Sequence, residues 1–187
     1  LAERKVMGKL GQLGKNPVKE ALIGVTGCMA NAKKESIFQK LPHVDFVLGT
    51  NNIHHINEVL DNLLASGTPQ LRVDEKFEHE LDYLSAKKEN PVTAHVSIIR
   101  GCDKFCTYCV VPYTRGPEVS RPPENILEEC RSLASRGFKE VMLLGQNVNS
   151  YGVGLAERAT LPDLLRRLDA LPGLQRLKEG PVERCHP

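Results

Sequence analysis

Three cysteines spaced C-x3-C-x2-C within one short stretch constrain this chain more than any other feature. They are Cys102, Cys106 and Cys109, three of the six cysteines in the sequence. A loop with this spacing can place three thiolates around one soft centre, and thiolates select zinc, copper(I) or iron–sulfur clusters. A structural zinc site normally takes a fourth ligand from a second Cys or His pair, and no such pair follows. Three ligands and one open position therefore favour a [4Fe–4S] cluster, with structural zinc as the alternative.

The composition argues against several other classes of protein. No run of about 18 apolar residues occurs, so a membrane-spanning helix is not indicated. The polar first residues show no signal peptide. The formal net charge of +2 gives no global sign of nucleic-acid binding, so any RNA contact must come from local patches. Without a secretory signal, the uneven cysteine cluster favours metal or redox chemistry in the cytoplasm over a disulfide framework.

The first part of the chain alternates short apolar runs with amphipathic segments. Residues 21–25 and 44–49 predict buried strands, and residues 32–41 and 52–65 predict helices with one apolar face. This alternation predicts a parallel sheet with right-handed crossovers. Cys28 follows the first strand, where ligands bind on such sheets. A lone cysteine in that place is more often a buried small hydrophobe, so both interpretations stay open.

The second part of the chain repeats the same alternation. A strand is predicted at residues 94–99, a helix from Glu124 to Arg136, a strand at 140–144 and a leucine-spaced helix near 161–171. Another strand is expected to begin near residues 174–177. This order is typical of the opening of a β/α barrel, whose strand-end loops carry the active site.

The remaining cysteines and histidines are interpreted as structural. Cys130 shares one face of a predicted helix with apolar residues, so core packing is expected. Cys185 has no candidate partner and receives no function. His54 and His55 open a predicted helix and His95 lies in a predicted strand, so structural roles are expected for them.

The flanks of the cysteine loop resemble a known family of enzymes. A strand precedes the first cysteine, and an aromatic residue stands before the third, as in the radical S-adenosylmethionine (radical SAM) enzymes. The longer run from Val96 to Pro122 resembles the methylthiotransferase branch of those enzymes. Within that branch, Val111–Gly116 and Leu143–Asn149 most resemble the MiaB-type members. The sequence is identified as a member of this family.

The resemblance implies a transferase and its cofactors. It implies that Cys102, Cys106 and Cys109 hold the [4Fe–4S] cluster that binds SAM and yields a 5′-deoxyadenosyl radical. It implies that Cys28 is one of three ligands of an auxiliary [4Fe–4S] cluster that supplies sulfur, although the two earlier family cysteines have no counterpart in the sequence. The implied reaction adds a 2-methylthio group to N6-isopentenyl(dimethylallyl)adenosine at position 37 of tRNA. The implied partners are tRNA and an electron donor such as a flavodoxin, without a membrane.

Two polar residues are candidates for binding SAM. Radical SAM enzymes often carry a Gly-Gly-Glu-like segment for the methionine amine, and Gly145-Gln146-Asn147 stands in its place without matching the triplet. Gln146 and Asn147 are therefore candidate SAM contacts. Structural hydrogen bonding as ordinary loop residues is an equally weighted alternative.

Other residues near the cysteines are candidates for the surroundings of the site. Phe105 and Tyr108 are expected to shield a cluster from water. Four further side chains are candidates for meeting RNA phosphate or stacking on bases, with surface or helix-capping roles as the alternative. They are Arg100, Arg115, Arg121 and Tyr113.

The expected architecture is α/β in two parts. Residues 1–68 are expected to form a partial, flavodoxin-like parallel α/β domain, residues 69–91 a linker, and residues 92–187 the start of a TIM-like radical SAM barrel. Family members continue into a complete barrel and a TRAM domain, so the sequence is expected to represent a fragment, whose activity in isolation is an open question. Two other functions stay open: a methylthiotransferase acting on threonylcarbamoyladenosine or ribosomal protein, and a non-catalytic, zinc-stabilised RNA-binding module.

Overall fold

The computed structural model describes residues 2–15, 21–74, 92–156 and 158–179. These residues form two compact units, the first built from residues before 75 together with Tyr113–Arg115, and the second from the other residues after 91. Each unit is a mixed α/β structure with a parallel sheet of three strands. The α/β fold class predicted from the sequence is confirmed at this level.

The described residues of the first unit that precede residue 75 form four helices and three strands. The helices are α1 (Ala2–Lys15), α2 (Cys28–Lys33), α3 (Ser36–Lys40) and α4 (Ile56–Ser66), with a 3-10 turn at Ile53–His55. The strands are β1 (Gly24–Thr26), β2 (Phe46–Leu48) and β3 (Gln70–Arg72). They lie in the order β1-β2-β3 and run parallel, so helices must connect them.

The middle strand of this sheet is buried on both faces. Successive side chains of a strand point to opposite faces, so β2 contributes to two apolar clusters. Val47 packs in a cluster that includes the β1 side chain Val25, whereas Phe46 and Leu48 pack with Val59 of α4. The short apolar run predicted as a buried strand therefore forms one, covered on both sides as parallel strands usually are.

The predicted helix at residues 32–41 is wrong in its bounds. The chain turns directly from β1 into α2 through Gly27, whose φ of 91° is a conformation that glycine adopts readily. The helix then breaks at Lys34, which has a φ of 45°, before α3 begins. As a result, Cys28 is the first residue of α2 instead of a loop residue before a later helix.

The second half of the chain contains three helices and five strands in its described part. The helices are α5 (Val111–Arg115), α6 (Pro123–Ser135) and α7 (Leu161–Asp169), with a 3-10 turn at Val148–Ser150. The strands are β4 (Thr93–Ser97), β5 (Ile99–Arg100), β6 (Val119–Ser120), β7 (Glu140–Leu144) and β8 (Arg176–Glu179). Strands β4, β7 and β8 form a parallel sheet in that order, and β5 pairs with β6 antiparallel.

Helix α6 ends at Ser135, one residue before the predicted Arg136, and Gly137 follows its C-cap. Gly137 has a φ of 92°, and its N–H donates to the carbonyl of Ala134 at 3.0 Å. The next N–H, that of Phe138, donates to the carbonyl of Leu133 at 3.1 Å, which completes a Schellman motif. Phe138 and Leu133 are both buried in the same cluster, so this cap also delivers an aromatic side chain to the core.

One apolar cluster fills the second unit. The sheet contributes Val96 and Leu143, α6 contributes Ile126 and Leu127, and α7 contributes Leu164, all at most 1% exposed. This packing fixes the strand ends from which the functional loops leave. No helix among the described residues is both long enough and apolar enough to cross a membrane.

Candidate metal centre

The cysteine loop begins where strand β5 ends. Cys102 is separated from β5 by one residue and is 8% exposed, whereas Cys106 and Cys109 are half-buried. All three are free thiols. The N–H of Cys109 donates to the carbonyl of Cys106 at 2.9 Å, so the chain turns between the second and third cysteine. The first cysteine is thus built into the protein, and the other two lie in a more open turn.

The start of the loop is tied down by three hydrogen bonds. The N–H of Gly101 donates to Oε1 of Gln146 at 2.8 Å. The N–H of Cys102 donates to the carbonyl of Gly116 at 3.2 Å. Oδ2 of Asp103 accepts from the N–H of Glu118 at 3.1 Å. Two segments distant in sequence therefore hold residues 101–103.

Backbone conformation is demanding at two positions of the loop. Gly101 has a φ of 74°, and a Cβ there would lie 1.9 Å from the carbonyl oxygen of Pro117. Only glycine fits that position, since the neighbouring atom is backbone. Phe105 has a φ of 46°, which is rare for a bulky side chain. Conformational strain at a ligand loop persists only where its surroundings impose it.

The two aromatic residues of the loop are largely exposed. Phe105 is 59% exposed and Tyr108 is 74% exposed. That they shield a cluster from water stays a prediction. Cys102 itself is buried at the anchored start of the loop.

Gln146 and Asn147 follow strand β7 and bind the neighbouring segments. Oε1 of Gln146 accepts the Gly101 bond already described. Nδ2 of Asn147 donates to Oε1 of Glu118 at 2.9 Å and to Oγ of Ser150. The structure thus shows hydrogen bonds of the kind expected under the loop-bonding alternative, and the SAM contacts of Gln146 and Asn147 stay a prediction.

Two residues near these loops form hydrogen bonds that the sequence does not predict. Glu118 joins the start of the cysteine loop to Asn147 through its backbone and side chain. Tyr151 is 4% exposed and donates its hydroxyl to the carbonyl of Arg121 at 2.8 Å; burial raises its pKa to about 12. No spacing rule identifies such pairs, because they join residues about 30 positions apart through tertiary packing.

The chemistry of the cysteines suits a cluster. In the described stretches of the chain, no three His, Cys, Asp or Glu side chains are arranged to hold a single metal ion. In a [4Fe–4S] cluster the thiolates bind different irons, so they stand further apart than the ligands of one ion. Three free thiols on one loop match that donor set. Ligation by Cys102, Cys106 and Cys109 stays a prediction.

The other cysteines differ in their surroundings. Cys28 is half-buried at the start of α2, in the first unit, and its ligation stays a prediction. Cys130 is fully buried in the core of the second unit, and burial raises the pKa of its thiol to about 12. Its predicted packing role is confirmed. Cys185 lies outside the described residues.

The candidate RNA-contacting residues differ in their surroundings, and His55 has a structural partner. NH1 of Arg121 donates to the carbonyl of Ser97 and to Oε2 of Glu129, both at 2.7 Å, so it braces the second unit. Tyr113 is 75% exposed. The Nδ1 of His55 lies 3.1 Å from a carboxylate oxygen of Glu58, a structural pairing as expected. Contacts of the arginines and Tyr113 with RNA stay predictions.

Comparison with known proteins assigns both parts of the chain. The radical SAM superfamily matches residues 96–179, and the uncharacterized protein family UPF0004 matches residues 1–49. The chain is 68% identical over 179 residues to the tRNA-2-methylthio-N(6)-dimethylallyladenosine synthase of Protochlamydia amoebophila (strain UWE25). It is 44% identical over 183 residues to the enzyme of that name from Clostridium botulinum (strain Loch Maree / Type A3) and 45% identical over 179 residues to that of Dictyoglomus thermophilum (strain ATCC 35947 / DSM 3960 / H-6-12).

These matches cover nearly all of this chain but less than half of each relative. Each covers 95% of this chain and 40% of the relative, so the chain spans about two-fifths of the length of the curated relatives it matches. The matched region contains the cysteine loop and the end of β7, which the hydrogen bonds above join. On the superfamily match and this identity, the chain belongs to the radical SAM methylthiotransferase family.

Proposed function

We propose that the protein containing this chain is a transferase that adds a 2-methylthio group to N6-dimethylallyladenosine at position 37 of tRNA. The 68% identity to a synthase named for this product carries the proposal. The residues of the candidate site support it, because the three cysteines and the loop that anchors them lie within the radical SAM match.

The cysteines are proposed to hold the cofactors. Cys102, Cys106 and Cys109 would hold a [4Fe–4S] cluster with SAM, which when bound supplies a 5′-deoxyadenosyl radical able to attack an inert C–H bond. This chain's part is to fix the ligands, since Cys102 is buried and its loop is anchored at three points. Cys28 would contribute to the auxiliary cluster that supplies sulfur.

The finer architecture is part of the proposal. Residues 1–68 would be a partial flavodoxin-like domain, residues 69–91 a linker and residues 92–187 the start of a TIM-like barrel. The sequential parallel order β4-β7-β8, with α6 and α7 between the strands, supports the barrel. Strand β3 pairs with β2 although it lies within the proposed linker segment.

The remaining partners are proposed from the same reasoning. Gln146 and Asn147 would contact SAM, a proposal supported by their position just after the end of β7, because the strand-end loops of β/α barrels carry the active site. tRNA would be the macromolecular substrate, an electron donor such as a flavodoxin would reduce the cluster, and the reaction would take place in the cytoplasm.

Nucleoside analysis tests the reaction. Deleting the gene from its host should abolish 2-methylthio-N6-dimethylallyladenosine in bulk tRNA and let N6-dimethylallyladenosine accumulate, as measured by mass spectrometry of digested tRNA. Complementation with the wild-type gene should restore the product, and complementation with the Cys106→Ser gene should not. Undiminished product in the deletion strain would overturn the proposal. Loss of the methylthio derivative of threonylcarbamoyladenosine, or of a ribosomal-protein modification, would support the sister reactions instead.

Metal analysis tests the non-catalytic alternative. The anaerobically purified and reconstituted chain should be brown and contain iron and sulfide in equal amounts. Colourless protein with stoichiometric zinc would favour a structural zinc site in an RNA-binding module.

A further inference from the structure

We propose that Gln146 is a positioning residue for the cluster, holding the first ligand, Cys102, in place through the backbone of Gly101. The carbonyl oxygen of its side chain accepts the Gly101 N–H at 2.8 Å, across 45 positions of sequence. This inference rests on the proposed cluster. It gives Gln146 a role that acts through the cysteine loop and does not require contact with SAM.

The bond joins two strand ends. Gln146 lies two residues beyond the end of β7, and Gly101 lies directly beyond the end of β5. Gly145 packs against that same end, since a Cβ there would lie 2.3 Å from Cγ2 of Ile99. The close approach places the Gln146 side chain beside the loop, and the parallel sheet fixes the far end of the link.

The bond gives the Gly101 N–H an acceptor that regular secondary structure does not supply. Gly101 is buried and lies in a segment without regular secondary structure, so no ladder or helix is available for its N–H. Its φ of 74° and the nearby carbonyl of Pro117 leave the residue no freedom to turn away. Losing the acceptor would leave a buried N–H unsatisfied, which costs more than the net value of the bond.

The consequence falls on the adjacent cysteine. Cys102 follows Gly101 directly and is 8% exposed, whereas the other two cysteines lie in the more open turn. A loop anchored at its first ligand would hold that thiolate preorganised for a cluster. Partners that orient ligands in this way usually affect metal retention strongly.

Three variants of the 187-residue chain test the role. Gln146→Ala removes the acceptor, Gln146→Glu keeps an oxygen acceptor at the same reach, and Asn149→Ala changes an exposed residue of the same loop. Each is reconstituted anaerobically with iron and sulfide, and the rate of iron release to an excess of chelator is followed by absorbance. Gln146→Ala should release iron roughly tenfold faster than the wild type, and the other two should stay within about twofold.

A second readout needs no metal. Hydrogen exchange of the metal-free chain, read on the peptide that contains residues 99–106, should be faster in Gln146→Ala and unchanged in Asn149→Ala. Unchanged exchange and iron release in Gln146→Ala would overturn the positioning role. So would a variant whose sole defect is weaker SAM binding, measured by equilibrium dialysis, because that defect identifies a direct contact. A wild-type chain that binds no iron would overturn the cluster, and with it the proposed function.

Discussion

At the scale of single residues, Gly101 illustrates how a backbone requirement supports a metal site. Its Cβ-less backbone lies against the carbonyl of Pro117, where an added carbon would stand 1.9 Å from oxygen. Gly101→Ala should therefore displace the start of the loop and lower the iron content of the reconstituted chain at least severalfold. The measurement is iron per chain by colorimetric assay after gel filtration.

A matched glycine separates the clash from the general cost of a positive φ. Gly154 has a φ of 81°, but an added Cβ would meet nothing within 4 Å. Gly154→Ala should lower the free energy of unfolding by about 1 kcal/mol and leave the iron content unchanged. Equal iron loss in both variants would show that chain stability, and not the fit against Pro117, controls loading.

Cys130 allows a prediction about thiol reactivity. Burial raises its pKa to about 12, and the reactive species toward alkylating agents is the thiolate. In the native, metal-free chain at about pH 8, iodoacetamide should modify the half-buried Cys28, Cys106 and Cys109 while Cys130 stays unmodified. Peptide mass spectrometry gives the occupancy at each site, and unfolding in urea should make Cys130 reactive. Early labelling of Cys130 would show that its helix opens readily.

At the same scale, the sequence predicts some roles and leaves others undetermined. The burial of Cys130 was predictable, because local helical periodicity determines which face a residue occupies. The bond from Gln146 to Gly101 was not, since it depends on two strand ends meeting across 45 positions. The exposure of Phe105 and Tyr108 was also missed, because a loop's side-chain directions follow its backbone and not its composition.

At the scale of elements, strands were located more reliably than helix breaks. The apolar run at β2 identifies a buried strand because both its faces carry apolar residues. The break between α2 and α3 at Lys34 has no Gly or Pro to mark it, so the sequence offered no signal. By contrast, the end of α6 at Gly137 follows directly from a glycine at the capping position.

Strand β7 carries a charge arrangement that should make stability depend on pH. Glu140 is 6% exposed, and hydrogen bonds from Lys178, Thr93 and Arg176 hold the pKa of its carboxyl below the ordinary value. These bonds join β7 to β8 and β4, its two neighbours in the sheet. A depressed pKa stabilises the folded state at neutral pH. The unfolded chain binds the proton first, so this contribution is lost as pH falls below about 4.3.

Glu140→Gln tests this arrangement. The variant should unfold at lower urea concentration than the wild type at pH 7, and the difference should shrink as pH falls and the wild-type carboxyl itself becomes protonated. Urea is used because a salt denaturant would screen the ion pairs. Glu128→Gln, an exposed position on α6, is the control and should behave as the wild type at every pH. A difference that stays constant with pH would assign the effect to packing and not to charge.

At the scale of the whole molecule, the proposed metal ligands are divided between the two units. Each unit has its own apolar clusters, with Cys28 at the start of α2 in the first and the cysteine loop in the second. The three cysteines of the loop need no ligand from the first unit to complete the proposed radical-generating site. Iron binding by that site should therefore be independent of Cys28.

Single substitutions measure this independence in the 187-residue chain. The reconstituted wild type should bind about four irons, corresponding to one [4Fe–4S] cluster. Cys28→Ser should keep that number and the same visible absorption, because the loop retains all three thiolates. Cys106→Ser should lose most of the iron, since only the thiolates of Cys102 and Cys109 would remain on the loop to hold the cluster. If Cys28→Ser instead removed iron as completely as Cys106→Ser, the cysteines of both units would have to share one centre, and assigning three of them to a self-sufficient loop would be wrong.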